Sequence, residues 1–196
     1  MLYRHKHVIW LIGITGLLLI LSGCNSQDIE QELQVDVESF EYMNQDEEMV
    51  SLEDLKGDYW VANFIFTNCE TVCPPMTSNM ANLQDEADEL GLDVRFVSFS
   101  VDPELDDPET LREFADQFEA DYSNWDFLTG YSQEEIESFA ANSFKTLVTK
   151  VDGEDQVNHG TTFFIVDPEG TAIHNFSGTQ LDEMDQIIDH LEYYLN

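Results

Sequence analysis

Residues 60–66, WVANFIF, are almost unbroken apolar sequence. A run of this length, bounded by polar residues, suits a strand covered on both faces, the kind found in the middle of a sheet with helices above and below. The next residues narrow the choice. After Thr67 and Asn68 come Cys69 and Cys73, then Pro74 and Pro75, then Met76, Met80, Leu83, Ala87 and Leu90 at spacings of four, three, four and three. That spacing is one helical stripe. Pro74 suits its first position, where the missing N–H would have no partner anyway, and Gly91 stops it. A buried strand, a cysteine loop and a helix succeed one another without a gap.

The same alternation continues. Residues 94–101 (VRFVSFSV) form a second strand, and Pro108 opens a helix with Leu111, Phe114, Ala115 and Phe118 on one face. Residues 125–128 are a short strand, and residues 132 to about 142 a helix carrying Ile136, Phe139 and Ala140. Residues 144–151 and 161–166 read as strands around the loop DGEDQVNHG, which holds His159. The turn Asp167-Pro168-Glu169-Gly170 joins residues 161–166 to 171–176 as a hairpin. A last helix over residues 180–195 buries Leu181, Met184, Ile187, Ile188 and Leu191. Upstream, residues 37–43 form an edge strand or half of a hairpin ending near Val50, and Ser51-Leu52-Glu53-Asp54 has the pattern of a capping box. This order predicts an α/β fold: a central mixed sheet flanked by helices, with an N-terminal β-hairpin. Cysteines between the first buried strand and its helix resemble the thioredoxin arrangement.

The N-terminus, MLYRHKHVIWLIGITGLLLILSGC, is an address. Arg4 and Lys6 precede an apolar run over residues 8–21, shorter than the roughly 20 residues of a spanning helix and closer to an export-signal core. Leu21-Ser22-Gly23-Cys24 resembles the bacterial lipobox. Residues 1–23 are thus expected to be a signal peptide, Cys24 the lipidated first residue, residues 24–35 a polar tether and residues 36–196 the folded domain. An uncleaved signal anchor is the alternative. Either way the domain lies on the extracytoplasmic side of the cell membrane, held there by its N-terminus.

Charge restricts the partners. The chain has 7 basic and 41 acidic residues, a formal charge of −34. Loss of Arg4 and Lys6 with the signal leaves 5 basic residues and a charge of −36. Such a polyanion is repelled by nucleic acid and by anionic lipid head groups. The acids are scattered, as on a solvated surface, and their mutual repulsion costs stability unless salt screens it.

With Cys24 lipidated, Cys69 and Cys73 are the only pair left. A disulfide between them closes so small a ring that chain entropy yields roughly 2 kcal/mol, a poor return for a structural staple. A redox couple and a soft-metal site remain. Positions i and i+4 on a helical turn put both sulfurs on one face. Cys73 is expected to cap the helix, where the dipole favours thiolate and the surrounding carboxylates oppose it. Two thiolates suit copper(I), and an added imidazole suits copper(II). Outside the signal the histidines are His159, His174 and His190. His174 and His190 read as surface residues, whereas the loop bearing His159 faces the cysteine loop in a thioredoxin-like layout. Met76 belongs to a core stripe, Asp102 before Pro103 reads as turn chemistry, and residues 152–155 (DGED) lack the spacing of a calcium loop.

The segments KGDYWVANFIFTNCETVCPPMTSNM, VSFSVDPELDDPETL, NWDFLTGYSQEEIESFA and VNHGTTFFIVDPEG resemble the Sco/SenC family, most closely the membrane-anchored Sco lipoproteins of bacilli. The resemblance covers nearly the whole mature chain. It implies a thioredoxin-like fold, copper as cargo in both oxidation states, and Cys69, Cys73 and His159 as the ligands. It also implies a role in assembling the dinuclear copper centre of cytochrome c oxidase, with the oxidase subunit bearing that centre as partner. The alternative is an extracytoplasmic thiol–disulfide oxidoreductase that uses Cys69 and Cys73 to reduce the cysteines of that centre, itself served by thiol–disulfide reductants. Many relatives carry Asp-His-Ser around the histidine; this chain has Asn158-His159-Gly160.

Overall fold

The computed structural model describes residues 33–69, 71–150, 153 and 156–196. The expected signal peptide, the lipidated Cys24 and most of the expected tether lie outside them. The described chain starts against the sheet: the Leu33 N–H donates to the Ile173 carbonyl at 3.0 Å. Strand β1 (Val35–Asp36) comes first, then a hairpin of β2 (Glu41–Met43) and β3 (Met49–Ser51), then a single helical turn α1 (Leu52–Leu55). Ser51 and Asp54 form the reciprocal capping box that the sequence predicts.

Next come β4 (Tyr59–Ile65), α2 (Cys73–Leu90), β5 (Val94–Ser100), α3 (Pro108–Ala115), β6 (Trp125–Leu128) and α4 (Gln133–Phe144). Strands β4, β5 and β6 are parallel neighbours, and the intervening helices supply the crossovers that parallel pairing demands. A small separate hairpin, β7 (Val148–Lys150) with β8 (Val157–His159), precedes β9 (Thr162–Val166), β10 (Thr171–Ser177) and the final helix α5 (Leu181–Leu195). The main sheet runs β1-β10-β9-β4-β5-β6, with β9 antiparallel to β4 and β10 to β9. This is the mixed, helix-flanked sheet expected, with β4 well inside it.

Aromatic rings fill the layer between the sheet and α4. Phe144 meets Phe64 at 5.4 Å and Phe164 at 4.9 Å between centroids, and Trp60 and Phe99 close the group. Met76, Met80, Leu83 and Ala87 of α2 are buried, as the stripe predicts. Helices α2 and α5 pack together, and Asn79 Nδ2 donates to the Gly178 carbonyl at 2.8 Å. The open edge at β6 is covered by the first hairpin. The Gln45 amide oxygen accepts from the Phe127 N–H at 2.8 Å, and Asn44 Nδ2 donates to Asp126 at 2.9 Å. The Gln45 amide thus occupies a ladder position that another chain could otherwise take.

Four expectations need correction. Leu90 and Leu181 are exposed because they end α2 and begin α5, where each helix overhangs the layer beneath. Phe144 closes α4 instead of opening a strand; it is buried among the rings just described, and Lys145 stops the helix in a left-handed conformation (φ 53°). The stretch holding His159 is not wholly loop, because Val157–His159 pair with β7. His174 is buried, its Nε2 hydrogen-bonded to the Tyr194 hydroxyl at 2.8 Å and its ring 4.5 Å from that of His190.

Candidate metal centre

At the end of β4 the chain turns across the top of the sheet. The Ile65 carbonyl accepts from the Val101 N–H at 2.7 Å. Thr67 then ties the turn to a buried carboxylate: its hydroxyl donates to Asp106 at 2.6 Å, and its N–H points to the same group at 3.3 Å. Asp106 also accepts from the Ser100 hydroxyl at 2.6 Å. Burial raises its pKa, and these three donors pull the other way.

The two cysteines are placed by the start of α2. Cys73 is its first residue; Cys69 lies before it and receives the Cys73 N–H on its sulfur at 3.4 Å. The sulfurs therefore meet through a helix N-terminus rather than along one helical face. The sequence assigned the benefit of the dipole to Cys73, and the structure reverses this. Burial pushes the Cys69 thiol up, but hydrogen bonds from the Cys73 thiol and from the N–H groups of Cys73, Thr71 and Val72 outweigh it, so its pKa is lowered. Cys73 has no exposed surface. Burial raises its pKa strongly, a hydrogen bond from the Phe66 N–H offsets part of this, and the negative charges on Cys69 and Asp106 add to the rise. Both cysteines are free thiols.

His159, 86 positions from Cys73, reaches the same place: its Nε2 lies 3.5 Å from Cys73 Sγ. Its Nδ1 is 2.9 Å from the Gly160 carbonyl. A carbonyl can only accept, so Nδ1 carries the proton and Nε2 turns its lone pair toward the thiol. The ring stands edge-on to Phe66, with centroids 5.6 Å apart. Burial lowers the imidazole pKa and the Gly160 carbonyl partly opposes this. The ring is accordingly held neutral, the form that ligates metals. Among the described residues no three His, Cys, Asp or Glu side chains stand as a ready ligand cluster. The contacts are pairwise, Cys69 with Cys73 and Cys73 with His159, so an ion held by all three side chains would have to bring Cys69 and His159 to it as well.

The donor set of two thiols and one neutral imidazole fits a soft or borderline ion such as copper. Met76 is buried in the core stripe, as predicted. The DGED segment lies largely outside the described residues. Asp102 is more than turn chemistry: it is fully buried and bonded to Lys150 Nζ at 2.6 Å. Asp106 escaped notice in the sequence because DPELDDP reads as an exposed acidic turn. The rarity of lysine in this chain was the one available signal for Lys150.

Comparisons with known proteins agree with the fold. The pattern of the SCO1/SenC family matches residues 29–196. A SCO1/SenC family lipoprotein from Bacillus anthracis, known from its crystal structure, is 47% identical, with a TM-score of 0.80 over 84% of this chain and 98% of its own. The structure of BsSco, described as having a disulfide switch and as a member of the Sco family of cytochrome c oxidase assembly proteins, is 50% identical. Its TM-score is 0.77 over 84% of this chain and 95% of its own. ScoI of Arabidopsis thaliana, solved with copper bound, is 26% identical, with a TM-score of 0.69 over 82% of this chain and all of its own.

Proposed function

The chain belongs to the SCO1/SenC family, and from that premise we propose that it is a copper carrier serving assembly of the dinuclear copper centre of cytochrome c oxidase. Cys69 and Cys73 hold copper(I) as thiolates, and His159 completes the set for copper(II). The observation that carries this reading is the 3.5 Å approach of the His159 Nε2 lone pair to Cys73 Sγ. A copper-bound relative and a relative described as an oxidase assembly protein support it. Uptake releases two thiol protons. The Cys69 proton leaves readily, while the Cys73 thiol stays protonated until a cation arrives to offset its burial.

Cys24 carries the lipid after removal of residues 1–23, and the residues between it and Leu33, where the chain joins the sheet, tether the domain at the outer side of the cell membrane. The lipoprotein description of the Bacillus anthracis relative supports this placement. Among the described residues no helix is long and apolar enough to cross a membrane.

The test is anaerobic titration of the reduced full chain, in detergent, with copper(I) and copper(II), beside Cys69→Ala, Cys73→Ala and His159→Ala. One copper per chain is expected. His159→Ala should lose copper(II) and keep copper(I). Stoichiometric uptake that survives removal of both thiols defeats the assignment.

The unequal thiols favour a second reading, dithiol exchange. The Cys69 thiolate attacks a partner disulfide and forms a mixed disulfide. Cys73 then attacks Cys69 Sγ, leaving the partner with two thiols and this chain with a Cys69–Cys73 disulfide, which an external dithiol reductant must reopen. His159→Ala spares this reaction, which separates the two readings.

A further inference from the structure

His159 does not stand on the main sheet. It stands on the β7–β8 hairpin, and whatever holds that hairpin sets how far the imidazole reaches. In the antiparallel register Val148 lies opposite His159, and Lys150 opposite Val157. Side chains two positions apart on a strand share a face, so Lys150 and His159 are diagonal neighbours on one face of the hairpin. His159 meets Cys73 from that face. Lys150 meets the loop after β5: its Nζ donates to Asp102 Oδ1 at 2.6 Å and to Glu104 at 3.0 Å.

The two ends of this clamp differ in character. Asp102 is fully buried, and among the described residues its Oδ2 has no hydrogen-bond partner, so the Lys150 ammonium is the one charge bonded to this carboxylate. Removing one member of such a pair leaves a charge that the interior tolerates badly. The hairpin has other ties as well, among them the buried side chains of Val148 and Val157. The Lys150 N–H donates to Glu137 at 3.0 Å, and Gln156 Nε2 to the Asn68 carbonyl at 3.2 Å, beside the cysteine turn. The Asp102 N–H in turn donates to the Ser100 hydroxyl oxygen at 3.1 Å, and that hydroxyl donates to Asp106, which also accepts from Thr67. One buried network therefore fixes the cysteine turn directly and the histidine hairpin through a single ammonium.

We infer that Lys150 is a positioning residue for His159: by clamping the β7–β8 hairpin to Asp102 and Glu104, it sets the imidazole against Cys73. This deepens the copper-carrier reading and rests on it for its functional meaning, but the clamp itself is testable without metal. In the reduced, metal-free full chain in detergent, the parent should show a magnetisation transfer between the His159 and Phe66 rings. Lys150→Met should weaken it at least threefold, and Lys150→Arg, which keeps the charge, should restore it. In copper(II) titrations Lys150→Met should weaken binding by about tenfold or more, the usual scale for losing an outer-sphere support. Copper(I) binding, held by the thiols, should change less than about threefold on the same scale. Lys150→Met combined with His159→Ala should match His159→Ala alone.

An unchanged ring-to-ring transfer in Lys150→Met overturns the inference, as does an additive loss in the double variant. Loss of the transfer in Lys150→Met and its return in Lys150→Arg support the clamp even if the parent takes up no copper, in which case the carrier reading alone fails. Should Lys150→Met not fold, Lys150→Gln is read in the same way.

Discussion

Gly160 offers a direct test of how tightly the imidazole is held. A Cβ added there would stand 2.6 Å from Thr146 Oγ1 and 3.6 Å from Thr162 Oγ1. The first separation is far inside van der Waals contact, and the second is ordinary. Gly160 is not among the positive-φ glycines, so alanine meets no backbone penalty there and even gains about 0.4–1 kcal/mol from a stiffer unfolded chain. Against this stands overpacking, at about 1–3 kcal/mol for an inserted carbon without room. Two exits exist. Thr146 can turn its hydroxyl away, or the Gly160 backbone can shift and take with it the carbonyl that holds His159 Nδ1. We expect Gly160→Ala to lose about 1–2 kcal/mol of stability in urea unfolding and a similar amount of copper(II) binding, about a tenfold drop. Thr146→Ala removes the obstacle, so the double variant should regain most of both losses, with a coupling energy of about 1–2 kcal/mol. Gly160→Ala matching the parent, or a loss that Thr146→Ala leaves untouched, would refute the reasoning. The glycine in Asn158-His159-Gly160 then answers to the space taken by Thr146 rather than to backbone conformation.

Three further outcomes are expected. Iodoacetamide near neutral pH should modify Cys69 before Cys73, as read by peptide mass spectrometry, because the Cys69 thiol is lowered and the Cys73 thiol raised; equal rates would contradict the site electrostatics. Burial, with His190 adding, holds the His174 pKa at about 4, below its unfolded value. The native state then binds fewer protons, and stability from this group is lost as pH falls from about 6.5 toward 4. After allowance for solvent screening this amounts to about 1–2 kcal/mol. His174→Gln should flatten that part of the pH profile in urea unfolding, and an identical profile would count against it. Finally, the melting temperature should rise with added sodium chloride, since the Debye length falls from about 8 Å at 0.15 M to about 3 Å at 1 M; a flat response would show that the acidic surface carries no such strain.

The sequence made legible whatever its periodicity encodes. The unbroken run before Cys69 and the stripe after Cys73 place a buried strand, a turn and a helix without recourse to the rest of the fold, and β4 and α2 match that pattern closely. Phe144 was illegible because an aromatic residue suits a strand or the last turn of a buried helix equally, and its ring partners come from β4, β5 and β9. The short strand bearing His159 was hidden for a related reason: three residues pair with three others, too few for alternation to register. The family resemblance supplied His159 as a ligand; the residues alone left it as one candidate. Asp102 resembles an acid that the family has near the site, but an aspartate before proline reads equally as turn chemistry; Asp106 was beyond reach, since nothing local distinguishes an aspartate on an exposed turn from a buried one. The order of the two thiols inverted because α2 begins at Cys73 itself, so its free N–H groups serve the residue ahead of it.

The few cations after residue 24 show how a strongly acidic chain keeps its parts together. Lys56 pairs locally with Glu53, and Lys145 donates to the Asn142 carbonyl. The other three sit at joints. Arg95 bonds Asp126 at 2.9 Å, tying β5 to β6, and also reaches the Asp54 carbonyl at 3.2 Å. Arg112 pairs with Asp46 of the first hairpin and lies 4.5 Å from the centroid of the Tyr122 ring. Lys150 holds the second hairpin. Both β-hairpins outside the main sheet are thus fastened by a cation, one shielding the β6 edge and the other presenting the imidazole. In a domain where nearly every other charge repels, removing a joint cation costs an attraction and adds a repulsion. The solvent-facing surface is left with a large excess of carboxylates. A partner that meets the thiols at the top of the sheet therefore gains most from bringing its own positive charge, which speeds encounter and fixes orientation while leaving the choice of metal to sulfur and nitrogen.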